Sequence, residues 1–297
     1  MLARQLIKMD KKNILITGVN GQLGHEMRKV LDGDIFVNAI YTDVEELDIT
    51  NAQAIEECVM SNKVDYIVNC AAFTAVDAAE SNVELCTKLN VEAPTLLAQA
   101  AHRHGAKLIH ISTDYVFDGT NCRPYREDDP VCPTSVYGST KADGERHILE
   151  IAPESIVIRT AWLYSPHGKN FVKTMIELGR SRETLRVVCD QIGTPTYALD
   201  LASVIKTFID SEQWHPGIYH FSNEGAISWY DFTMAIHRLA GITSCYVLPC
   251  TTNDYPTPAT RPHYSVLDKS KIKATLGIEI PHWAESLEQC IHSMLNV

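Results

Sequence analysis

No stretch of this 297-residue chain approaches the run of about 18 apolar residues that a membrane-spanning helix needs. The apolar runs from Asn13 to Gly18 and from Tyr66 to Ala72 are interrupted by Gly, Asn or charge, so no bilayer crossing is expected. Positive charge is also scarce: 26 Lys and Arg face 37 Asp and Glu, a formal net charge of -11. Such a field opposes nucleic acid and anionic membrane surfaces, and neither is expected as a partner. The nine cysteines contain no CxxC pair, and nine is odd, so neither a disulfide framework nor a zinc ribbon is supported and no metal site is expected. Reduced thiols in a cytoplasmic protein are the expectation. Met1 to Asn13 carry Arg4, Lys8, Lys11 and Lys12 but lack the apolar core of a signal peptide. They read as a frayed extension in which Met9 is an alternative start. Internal repeats and low-complexity tracts are missing too.

What is present is ordinary globular composition, 45% hydrophobic and 21% charged, in a length that suits two domains or one large α/β domain. From residue 13 to about 160, short β-branched runs alternate with amphipathic stretches. The pattern predicts strands at 13–17, 35–42, 65–69, 107–112 and 155–159, and helices at 23–31, 52–60, 83–104 and 137–150. Alternation of this kind makes a parallel sheet covered on both faces by right-handed crossovers, a Rossmann-type doubly wound α/β fold. Thr50 with Gln53 suggests a capping box, Gly105 a helix C-cap, and Pro94 a bend or restart in the third helix. Beyond 160 the rhythm changes, with helices at 171–180, 199–209, 229–240 and 283–295, a short strand at 218–221, and Pro-containing loops at 122–135 and 253–262. This reads as a smaller C-terminal α/β lobe. Residues 10–163, completed by parts of 188–222, would bind a dinucleotide, while 164–187 and 223–297 would form the substrate-binding lobe.

Directly after the first strand, Gly18, Gly21 and Gly24 are spaced GxxGxxG and open a helix. Glycines there allow a tight turn and close approach of the backbone to a pyrophosphate, which the helix N-terminus then favours with its N–H donors. The second strand ends at Asp43, 19 residues past Gly24, where a carboxylate can accept the hydroxyls of an adenine ribose. Glu45, Glu46 and Asp48 follow with no Arg or Lys nearby to hold a 2′-phosphate. Between NADH and NADPH as cofactor, NADH is therefore favoured.

Of the twelve tyrosines only Tyr137 has a lysine four residues on, Lys141, and helical spacing puts both on one face. A phenol is a usable acid toward a developing alkoxide, and an adjacent ammonium is expected to lower its pKa. The fourth strand ends in Ser112-Thr113-Asp114, where the carboxyl ends of parallel strands face a ligand crevice. Thr113 could bond a substrate carbonyl beside Tyr137, or the three could simply cap the strand end.

Glycine loop, acid, Ser-Thr-Asp and YxxxK in this order resemble the extended short-chain dehydrogenase/reductases. Three further segments narrow the likeness to the reductases of 4-keto sugar nucleotides: Arg159 to Tyr164, Asp190 to Thr196, and Tyr255 to Pro262. The resemblance implies hydride transfer from a nicotinamide to C4 of a dTDP-4-keto-6-deoxy-L-sugar. It places Gly21, Gln22 and Leu23 at the pyrophosphate, Asp43 at the ribose, and Asp48 and Ile49 at the adenine. Ala71, Ala72 and Phe73 would lie along the middle of the cofactor, and Phe73 stands where Tyr or His is expected. Lys141 would hold the nicotinamide ribose, Thr113 and Asp114 the sugar, Trp162 would wall the substrate, and Arg261 would meet the diphosphate. A small-molecule sugar nucleotide is the expected partner, bound by a monomer or homodimer. The same fold also serves epimerases and non-catalytic subunits, which leaves those readings open. A dehydratase is disfavoured, because Tyr115 stands where such enzymes place a glutamate base.

Overall fold

A computed structural model describes residues 11–295. The extension with its alternative start at Met9 lies outside the described residues but for its last positions. Six parallel strands form the main sheet, labelled β1 (Lys12–Thr17), β2 (Val37–Thr42), β3 (Tyr66–Asn69), β4 (Lys107–Thr113), β5 (Ile156–Thr160) and β6 (Gly217–His220). Their spatial order is β6-β5-β4-β3-β1-β2. The direction of winding reverses between β1 and β3, and that reversal opens a crevice at the carboxyl ends of the two strands.

Alternate residues of each strand face opposite helical layers, and near-continuous Ile, Val and Leu runs satisfy both faces. Ile14, Ile16, Val68, Ile109 and Ile158 pack on one side with Leu23 and Met27 of the Gln22–Leu31 helix and with Leu201, Ile205 and Phe208 of the Ala198–Asp210 helix. Leu15, Ile67, Leu108 and Val157 face the other side, where the Ala52–Ser61, Ala93–His104 and Val136–Ile151 helices lie. Ile272 and Ile280, late in the chain, also enter the first of these cores. A separate core gathers Val172, Ile176, Leu185, Phe232, Ile236, Leu287 and Ile291 from helices Phe171–Ser181, Trp229–Leu239 and Trp283–Leu295 and strand Thr184–Val188.

Several local expectations change in detail. The second strand begins at Val37, not at 35, because pairing with β1 starts there and Ile35 is 71% exposed. Asn51 caps the Ala52–Ser61 helix, accepting from the Ala54 N–H, whereas Thr50 is turned toward Asp48. The predicted 83–104 helix runs through, with a π-helical turn over Lys88–Glu92 between Val83–Thr87 and the regular helix that restarts at Ala93, Pro94 lying in its first turn. Proline fits there because the ladder has just been shifted by the π-helical turn, with the Ala93 N–H reaching back to the Lys88 carbonyl. Gly105 ends that helix at φ 72°, as a left-handed C-cap.

Candidate active site

The turn after β1 is built so closely that side chains are excluded. Gly18 sits at φ +64°, and a Cβ there would lie 2.7 Å from the Ala71 nitrogen; one on Gly24 would lie 2.5 Å from the Gly18 carbonyl oxygen. The Val19 N–H ties this turn to the end of β2 through the Thr42 carbonyl at 3.1 Å. The helix then starts at Gln22 with no side-chain cap, leaving first-turn N–H donors for a ligand. This bare-backbone cradle fits a pyrophosphate.

A cleft of about 770 Å³ runs from this turn across the sheet ends. Gly18, Gly21, Gln22 and Leu23 line it, followed by Asp43, Asp48 and Ile49 at one end and Ala71 and Ala72 in the middle. Thr113, Asp114, Tyr137, Lys141, Trp162 and Arg261 line the far part. Two residues from the sequence analysis are not in the lining. Gly24 packs beneath the turn, and Phe73 joins Cys86 and Tyr137 in a small apolar cluster, its N–H bonded to Asn90 Oδ1 at 2.9 Å. Asp43 accepts from the Asn20 and Val44 N–H groups, both at 2.9 Å, and its cleft neighbours Val44, Leu47, Asp48 and Ile49 carry no cation.

Tyr137 stands at the start of the Val136–Ile151 helix, which Ser135 caps by accepting from the Gly138 N–H. A Cβ on Gly138 would lie 2.2 Å from the Tyr115 carbonyl oxygen, so only glycine lets this helix reach the end of β4. Burial pushes the Tyr137 phenol well above its ordinary range, the Thr113 hydroxyl acting in the opposite sense. In the cofactor-free protein burial outweighs any lowering by Lys141. Lys141 Nζ bonds instead to the Ile111 carbonyl at 2.6 Å and approaches His110 Nε2 at 3.1 Å, and burial brings its own pKa down to about 8.

Thr113 does cap the strand end, its hydroxyl accepting from the Tyr115 N–H at 3.2 Å, and it also donates to Asp114 Oδ1 at 3.0 Å. Asp114 is 2% exposed, and burial raises its carboxyl to about 6. Trp162 adopts φ 48°, one of two non-glycine positive φ values among the described residues, and stacks on Trp229 with ring centroids 3.4 Å apart. A left-handed tryptophan is costly, and its place in the cleft wall fits strain retained at a working site. Arg261 reaches the cleft from the Pro-rich loop, bonded to Asp77 at 2.7 Å and to the Tyr115 hydroxyl at 3.0 Å. Burial raises the Tyr115 phenol, outweighing the Arg261 charge that acts in the opposite sense, so Tyr115 keeps its proton and is not equipped as a base.

Sequence reasoning missed Trp229, Lys169 and Asn170, all of which line the cleft. Asn170 caps the Phe171–Ser181 helix and also donates to Gln22 Oε1 at 2.9 Å, fastening the later half of the chain to the glycine turn. Among the described residues no group of acidic, His and Cys side chains is arranged to hold a metal ion, and no helix is long and apolar enough to cross a membrane.

A parallel sheet with this strand order, a glycine turn at its reversal point and a Tyr-Lys pair beside a Ser-Thr-Asp strand end defines an extended short-chain dehydrogenase/reductase fold and site. The chain belongs to the RmlD substrate binding domain family, whose model matches residues 12–296. It is 43% identical over 284 residues to a dTDP-4-dehydrorhamnose reductase of Aggregatibacter actinomycetemcomitans, covering 93% of this chain and 97% of that protein. The crystal structure of a dTDP-4-dehydrorhamnose reductase from Clostridium acetobutylicum superimposes with TM-score 0.92 at 47% identity, covering 96% of this chain and 100% of that one. A Bacillus anthracis dTDP-4-dehydrorhamnose reductase, solved in complex with NADP, gives 0.91 at 37% identity over 95% and 99%.

Proposed function

We propose that this protein reduces the C4 ketone of dTDP-4-dehydro-L-rhamnose to dTDP-L-rhamnose with a nicotinamide cofactor. The observation that carries the reading is the meeting of Tyr137, Thr113 and Asp114 with the Gly18–Gly24 turn in one cleft, in a chain whose similar relatives bear that activity in their names. Gly21, Gln22 and Leu23 hold the pyrophosphate, Asp43 the adenine ribose, Asp48 and Ile49 the adenine, and Ala71 and Ala72 the central part of the cofactor. The reduced nicotinamide supplies the hydride when bound. Tyr137 donates its phenolic proton to the carbonyl oxygen as negative charge develops there, and its raised pKa keeps that proton in place until it is needed. Thr113 orients the same oxygen, Asp114 binds a sugar hydroxyl, and the Trp162–Trp229 stack walls the hexose. Arg261 moves from Asp77 toward the diphosphate.

Residues 10–163 with parts of 188–222 make up the cofactor part, and 164–187 and 223–297 the substrate lobe, apart from Ile272 and Ile280, which pack with the sheet. The enzyme works in the cytoplasm as a monomer or homodimer and prefers NADH. The test is to mix the protein with NADH or NADPH and a dTDP-4-keto-6-deoxy-L-sugar, follow cofactor oxidation, and identify the product by NMR. Rhamnose is expected. Its C4 epimer 6-deoxytalose would overturn the stereochemistry, and no oxidation would overturn the reading.

A further inference from the structure

Thr17, Asn69 and His110 occupy directly paired positions on β1, β3 and β4, and all three are buried. The Thr17 hydroxyl reaches Asn69 Oδ1 at 2.7 Å, and the Ala71 backbone N–H reaches the same oxygen at 3.2 Å. A backbone N–H can only donate, so Ala71 fixes the Asn69 amide with its oxygen toward residue 71 and its NH2 toward His110 Nδ1, 3.0 Å away. That NH2 also can only donate. His110 Nδ1 therefore accepts, and the neutral imidazole carries its proton on Nε2, which faces Lys141 Nζ at 3.1 Å. An ammonium would set N–H against N–H at this contact. A neutral amine offers its lone pair to His110 while still donating to the Ile111 carbonyl.

We infer that His110 is a positioning residue that turns its Nε2–H toward Lys141 and favours loss of the Lys141 proton in the cofactor-free protein. The inference deepens the reductase reading, on which its functional meaning rests. Each Lys141 that loses its proton withdraws support from a Tyr137 phenolate, which favours the phenol that acts as the acid in reduction. The surroundings agree. Burial acts on Lys141 in the same direction, bringing it down to about 8 so that the amine becomes accessible just above neutral pH, and it holds His110 far below its usual range. The charged or titratable groups acting on Lys141 from its own and neighbouring helices are Glu145, whose carboxylate is bonded to Arg159, and the Cys86 thiol. Both favour the ammonium and neither outweighs the burial.

The test reads the cofactor-free protein directly. Nitrogen-15 NMR of the imidazoles should show His110 as the Nε2–H tautomer, uncharged across the neutral range, and carbon-13 NMR of labelled lysines should show Lys141 titrating about two units below an ordinary lysine. A proton on Nδ1, a charged imidazole or an ordinary Lys141 titration overturns the inference. His110→Gln keeps one donor and one acceptor and should leave the Lys141 titration in place. His110→Leu keeps neither, and should move it up by about one unit, roughly tenfold in the ammonium-to-amine ratio. A folded His110→Leu variant with an unmoved Lys141 would reduce His110 to packing. If that variant fails to fold, the wild-type tautomer still decides. None of these readouts needs turnover, so an inactive but correctly bonded protein would sink the reductase reading and leave this one standing.

Discussion

Two buried basic side chains meet at the same helix, Lys141 on it and Arg159 against it, and each contacts a histidine, yet they are built differently. Lys141 and Glu145, one turn apart on the Val136–Ile151 helix, point at neighbouring strands. Glu145 takes Arg159 of β5 at 2.7 Å through Nη2 and at 3.0 Å through Nε. Arg159 Nη1 then approaches His220 Nε2 at 3.4 Å, while His220 Nδ1 donates to the Tyr125 carbonyl at 3.0 Å. Burial and the Arg159 charge hold His220 down to about 3, so it remains an uncharged acceptor. Charge there is matched within the protein and sealed from solvent. Lys141 has no carboxylate within ion-pair distance among the described residues, and it lines the cleft. The closed pair serves the fold, and the open amine keeps a protonation state that can change.

Breaking the closed pair should have the largest effect on stability. Arg159→Met strands a buried carboxylate, and unfolding in urea should show a loss of about 3–5 kcal/mol. The double variant Arg159→Met with Glu145→Leu should recover most of it, because removing both charges also removes their desolvation cost. A single-variant loss below ~1 kcal/mol would erase the distinction between the two regions. The site should respond in the opposite currency of rate. Tyr137→Phe is expected to lower kcat by about 10² to 10⁴ while moving stability by less than about 1 kcal/mol and leaving cofactor affinity nearly unchanged. A variant retaining a third of the activity would remove Tyr137 as the acid.

The two regions were also unequally legible in the sequence. Strand–helix alternation, the glycine turn and the Tyr-Lys spacing are local patterns, readable because a turn or a helix face is set by residues a few positions apart. Nothing in the sequence pairs Arg159 with His220, since their meeting depends on the register of β5 against β6. The same holds for His110, whose role depends on Asn69 forty-one positions earlier. Long-range packing also explains why Trp229 and Asn170 escaped notice, and why the parallel pairing of Thr184–Val188 with Tyr246–Cys250 was not foreseen, Pro249 in the latter arguing against a strand. Thr50 failed as a cap for a different reason: the helix starts at Ala52, so Asn51 is the residue in place to accept from the Ala54 N–H, while the Thr50 hydroxyl donates to Asp48 at 2.7 Å.

A third prediction sharpens the contrast through pH. Asp114 has a folded pKa of about 6, raised by burial from an ordinary 3.8, so the folded state binds more protons than the unfolded state between those values. Stability in the wild type is therefore lost as pH rises through about 6, where the carboxyl must ionise in place. Asp114→Asn removes that penalty and should stabilise the protein by up to about 3 kcal/mol above pH 7 while damaging sugar binding. Below about pH 3 the carboxyl is neutral in the folded and the unfolded chain alike, and the difference should vanish. Urea midpoints for the two proteins at both pH values check this. A constant difference would mean that Asp114 is not held under strain in the cleft.

The smallest effect is expected at Asp43, where charge is neither sealed like Arg159 nor starved of partners like Lys141. Its two carboxylate oxygens each take one backbone N–H, from Asn20 and Val44, which aims the group at the cleft while leaving lone pairs for ribose hydroxyls. A 2′-phosphate beside it would bring like charges within a few Å, costing about 1–3 kcal/mol in this half-exposed place, or about five- to 150-fold in preference for NADH over NADPH. The two N–H bonds oppose rotation of the side chain into solvent, the simplest way of relieving that repulsion. Asp43→Ala should lose affinity for NADH and gain relative use of NADPH, since no cation stands beside it to reward the phosphate further. The measurement is kcat/KM for both cofactors on both proteins. Equal values in the wild type, or unchanged discrimination in the variant, would take Asp43 out of the ribose site and leave the preference to the backbone of the glycine turn.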